Sequence, residues 1–69
     1  MALDEHQLVA AALLELQKDI RWYPNYIKWT RLDEAARTKW WRLAKAQAEK
    51  GAPAMQTLVL KVIELRMKR

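Results

Sequence analysis

Sixty-nine residues with a formal net charge of +5 make one domain, residues 1–69, and a chain this short buries only roughly 60% of its unfolded surface, so it must pack closely or associate with itself. With no cysteine there is neither a disulfide framework nor a thiolate metal site. No apolar run approaches the ~20 residues of a membrane span, and the opening Met1-Ala2-Leu3-Asp4-Glu5 is acidic where a secretory leader is basic, so a cytoplasmic protein without membrane contact is expected.

The first predicted helix covers about residues 4–20. Asp4 is a good N-cap, and Gln7 stands three residues on to close a capping box. Val9, Leu13, Leu16 and Ile20 repeat at helical spacing as one apolar stripe, which Leu8 and Ala12 widen, while Leu14 falls on another side. The pattern then breaks at Arg21-Trp22-Tyr23-Pro24-Asn25, because proline disfavours a helical conformation at the residue before it and asparagine suits a turn. Exposed rings are disfavoured, so Trp22 and Trp29 are expected to plug the open end of a small bundle.

The second helix is expected over about 30–50. Thr30-Arg31-Leu32-Asp33 reads as a capping box with Glu34 behind it, and Gly51 supplies the C-terminal cap. Its apolar stripe is then Leu32, Ala36, Trp40 and Leu43. Neighbouring helical side chains point about 100° apart, so Trp41 is left among Glu34, Arg37, Thr38, Lys45 and Ala48, an exposed indole between cations. The third helix opens on Pro53, a first-turn proline, and runs to about residue 68. Met55, Leu58, Val59, Leu60, Val62, Ile63, Leu65 and Met67 cover well over half of its circumference. Such a helix is either sandwiched between the other two or shared with a second subunit. A strand over 57–63 is the lesser alternative, since no partner strand is in sight. The fold class is therefore all-α, a bundle of three helices expected to form a homodimer through the third.

Chemistry is sparse. The chain has no serine, and none of Thr30, Thr38 and Thr57 has an activating base at local spacing. His6 lacks the further ligands of a metal site, and the pairs Asp4/Glu5 and Asp33/Glu34 stand at helix starts, where the helix dipole accounts for them. The single glycine excludes glycine-rich phosphate loops. No enzyme, cofactor or metal is expected.

What remains is binding. Residues 21–50 carry eight bases against three acids, and all six aromatics of the chain lie there. Charge steers an encounter and rings supply contact area, so the first reading is a modulator or inhibitor of a partner protein with an acidic, apolar groove. Its anchors would be Trp41, Arg37, Lys45, Arg42, Tyr23 and Tyr26, since Trp, Tyr and Arg dominate interface energies. Small autonomous chains of this kind are common among phage and mobile-element regulators. The alternative is DNA binding, with Arg31, Arg37, Lys39, Arg42 and Lys45 on phosphates. The second and third helices superficially resemble a helix-turn-helix, yet the third offers only Gln56 and Thr57 to base edges, so protein is favoured over nucleic acid. A third possibility buries Trp41 in the self-association surface.

Overall fold

In the computed structural model, residues 4–19, 22 and 29–68 are described. Three helices carry the fold: α1 (Glu5–Leu16), α2 (Glu34–Glu49) and α3 (Pro53–Met67), with a short 3-10 turn at Trp29–Arg31 ahead of α2. No strand forms among the described residues, and 57–63 is helix. None of these helices is long and apolar enough to cross a membrane.

At the start of α1 the capping box is complete. Asp4 Oδ1 accepts from the Gln7 amide at 2.8 Å, and Gln7 Oε1 accepts from the Asp4 amide at 3.0 Å. Leu8, Val9, Ala12 and Leu13 are buried and Leu14 is exposed, as their spacing requires. The helix ends at Leu16, short of the expected residue 20. Beyond it the Lys18 and Asp19 amides bond back three residues, to Glu15 and Leu16, and the Trp22 amide bonds to Asp19. These tighter turns take the chain off the helix axis. They bring Trp22 into the core, where its indole Nε1 donates to the Ala54 carbonyl at 3.1 Å. Trp22 and Trp29 are both buried, as plugs should be. Ile20, Tyr23 and Tyr26 lie outside the described residues.

The start of α2 differs from the expectation. Asp33, not Thr30, is the N-cap, and its Oδ1 accepts from the Ala36 amide at 2.8 Å. Both residue types cap well, so local sequence offered two starts three residues apart. The later start leaves Trp29 in the 3-10 turn, where its ring meets Trp40 edge-on at 5.5 Å and His6 at 5.8 Å.

The face that α2 buries is also not the one read from the sequence. Trp41 is 4% exposed and Leu43 is 54% exposed, so these two residues have exchanged their expected places. The inward stripe is Arg37, Trp41, Ala44 and Ala48, with Trp40 half-buried at its edge. Burying the largest ring removes more apolar surface from water than burying a leucine. Two alanines along the same stripe leave room for α3 to approach.

α2 closes with a Schellman cap. Gly51 takes φ +96°, its amide bonds to the Ala48 carbonyl at 3.1 Å, and the Ala52 amide bonds to the Gln47 carbonyl at 3.0 Å. Pro53 then starts α3, and Gln56 Nε2 ties its first turn back to the Ala48 carbonyl at 3.1 Å. Met55, Leu58 and Val62 enter the core, and α3 packs against both α1 and α2. The sandwiched position is the one its broad apolar surface calls for.

Candidate binding surface

The residues expected to form a site fall into three groups. Trp41 belongs to the core, and its expected role as an exposed anchor is corrected. Lys45 lies over its ring, with the ammonium 5.5 Å from the ring centre, so the cation covers the indole and does not present it. Arg37 is half-buried and turned toward the 3-10 turn. Its Nε donates to the Trp29 carbonyl at 3.1 Å and its guanidinium stands 5.6 Å from the Trp29 ring, which fastens the 3-10 turn to α2. Tyr23 and Tyr26 are outside the described residues.

Arg31, Lys39 and Arg42 form the remaining group, and they are exposed. On the helical wheel, Lys39, Arg42, Leu43, Ala46 and Lys50 share the outer side of α2, all of them exposed. Lys39 lies one turn before Leu43 and Arg42 beside it, so an exposed leucine sits among cations.

The ion pairs are distributed unevenly over the surface. Glu5 pairs with Arg66 at 3.2 Å, Glu15 with Lys61 at 3.0 Å, and Glu64 with Lys61 at 3.3 Å and Lys68 at 3.7 Å. Glu34 contacts His6 Nδ1, and Thr38 Oγ1 lies 3.3 Å from His6 Nε2, which joins the first turns of α1 and α2. These pairings engage the bases of α3 and leave Arg31, Lys39, Arg42 and Lys50 without an ion pair among the described residues. Exposed pairs add little stability, but unpaired cations on one helix face set the local potential.

Among the described residues, two carboxyls are shifted down from their ordinary value. Glu5 is lowered first by the indole N–H of Trp41, with lost hydration opposing, and then by Lys45 and Arg66. The Trp41 nitrogen is buried and closes no hydrogen bond of standard length and angle, so it acts on Glu5 as a nearby dipole. Glu15 is lowered by its hydrogen bond and charge interaction with Lys61, whose own value is raised by Glu15 and then Glu64. No three His, Cys, Asp or Glu side chains gather to hold a metal ion among the described residues.

Sequence reasoning missed Leu43 as the exposed apolar residue of α2 and His6 as the link to α2. Leu43 was legible only once the phase of the helix was known. The partners of His6 are about thirty residues away, and no local pattern signals them. No family model, no curated protein and no solved structure matches the chain.

Proposed function

We propose that this protein is a non-enzymatic binding module that docks on an acidic partner protein and modulates it, using the outer side of α2. The observation that carries the reading is Leu43, 54% exposed and set beside Lys39 and Arg42, with Lys50 two turns further along the same side, none of which has an ion pair among the described residues. An apolar contact flanked by cations suits a protein surface that is apolar at its centre and acidic at its rim. Leu43 takes the anchoring role that the sequence assigned to Trp41, and Arg42 and Lys39 steer the approach.

The second reading is phosphate binding through the same cations, and it rests on their having no carboxylate partner among the described residues. Duplex DNA would be held without strong sequence preference, and replacing any one of these cations by alanine would flatten the salt dependence.

Affinity capture from nuclease-treated lysate, followed by titration of the captured protein, tests the first reading. Leu43→Ala should weaken binding about tenfold, roughly 1.4 kcal/mol. Arg42→Glu should slow association and remove most of its salt dependence. Binding that is indifferent to both substitutions refutes the α2 surface. Capture only of nucleic acid, lost in moderate salt and unchanged by Leu43→Ala, replaces the first reading with the second.

A further inference from the structure

The apolar surface of α3 exceeds what the core uses. Met55, Leu58 and Val62 face inward, yet Leu60, Ile63 and Met67 are 66%, 43% and 78% exposed. Their steps of three and four residues, continued backward four residues to the exposed Gln56, place all four on one stripe of the helix. Next to this stripe runs a groove of about 400 Å³ between α2 and α3, in which Ala48, Val59 and Leu60 are the apolar walls.

From this stripe we infer that a second copy of the chain packs α3 against α3 in an antiparallel, two-fold arrangement. Charge decides in favour of a second copy. The bases nearest the stripe are each matched within their own chain, Lys61 by Glu15 and Glu64, Lys68 by Glu64, and Arg66 by Glu5. Two chains of formal charge +5 can therefore approach along α3, whereas along the outer side of α2 the unpaired cations would repel. A seam with steps of three and four residues is complementary to itself under a two-fold axis.

Direction follows from the helix dipoles. Parallel packing would align the dipoles of the two α3 helices, while antiparallel packing opposes them. With Ile63 nearest the axis, Leu60 of one copy meets Met67 of the other, because they lie three and four residues to either side. The three side chains present on the order of 300 Å² of apolar surface, short of the ~800 Å² per partner of a standard interface. The dimer is therefore reversible and depends on concentration. This association is independent of what α2 binds, and its test involves no other partner.

Sedimentation equilibrium from about 10 µM to about 1 mM should show the mass rising from one chain toward two, the range set by so small an interface. Ile63→Glu and Met67→Glu should each hold the protein monomeric with an unchanged far-ultraviolet circular dichroism spectrum, since neither side chain is in the core. The chain has no cysteine, so single-cysteine variants report the geometry. Leu60→Cys and Met67→Cys should cross-link when mixed and not when oxidised separately. A wild-type chain that stays monomeric throughout, or a dimer that survives both glutamate substitutions, overturns the interface. Cross-linking of Leu60→Cys with itself in preference to the mixed pair overturns the antiparallel direction.

Discussion

Replacing Trp41 by alanine separates a structural from a surface role for this indole. A domain of 69 residues carries a total stability of about 3–10 kcal/mol at the usual per-residue value. Truncating a buried tryptophan to alanine costs about 3–5 kcal/mol, from lost transfer energy and the cavity left behind. The indole nitrogen of Trp41 closes no hydrogen bond of standard length and angle but helps lower Glu5, so removing it gives back little of that cost and the net loss is about 3 kcal/mol or more. Leu43→Ala, two residues further along α2 and on its outer side, removes a side chain that is 54% exposed and should cost about 0.5 kcal/mol. In a domain this small, ~1 kcal/mol moves the melting temperature by about 4–8 °C. Trp41→Ala should thus lose at least about 12 °C or fail to fold, and Leu43→Ala should lose less than about 5 °C. Two phenylalanine substitutions refine the test. Trp41→Phe discards an N–H that closes no hydrogen bond of standard length and angle, together with its dipole on Glu5, and should cost about 1 kcal/mol, whereas Trp22→Phe gives up the bond to the Ala54 carbonyl and should cost about 1 kcal/mol more. Urea and thermal unfolding followed by circular dichroism measure all four. Equal losses for Trp41→Ala and Leu43→Ala would refute the assigned phase of α2.

Asp33→Ala should destabilise the protein by about 1 kcal/mol while Thr30→Ala changes it little, because Asp33 is the residue that caps α2; the reverse order in urea denaturation would move the helix start back to residue 30. Gly51→Ala should cost about 1–2 kcal/mol from backbone strain at φ +96° alone, since a Cβ there meets open space; a neutral result would contradict the Schellman cap. Acid should weaken the fold through Glu5 and Glu15, whose folded values lie below the ordinary 4.5. The stability they contribute is complete above that value and is lost as pH falls through their folded values, so Glu5→Gln should flatten the decline in melting temperature below about pH 4.5. An acid profile unchanged by Glu5→Gln would remove the carboxylate from the account.

Much of the fold could be read directly because it rests on local rules. The capping box of Asp4 and Gln7, the stripe of Val9 and Leu13, the glycine cap at Gly51 and the first-turn proline at Pro53 each involve residues within one or two turns, and each stands where its spacing put it. The broad apolar surface of α3 likewise implied its place between the other helices. Wherever two local solutions were nearly equal in energy, sequence alone did not choose. Thr30 and Asp33 are both competent caps, and Trp40 and Trp41 are both large rings on adjacent faces. The choice was made by packing: Trp29 settles against Trp40 and His6, and this turns Trp41 into the core with Ala44 and Ala48 beside it. That rotation moved the exposed apolar residue from Trp41 to Leu43 and turned Arg37 inward onto Trp29, and so changed the candidate site while leaving the fold class intact. Composition and periodicity determined that this chain forms three helices with a basic middle. Which of its faces meets solvent was decided only by tertiary contacts between residues far apart in sequence, because burial energy depends on the neighbours a side chain finds and not on its own type.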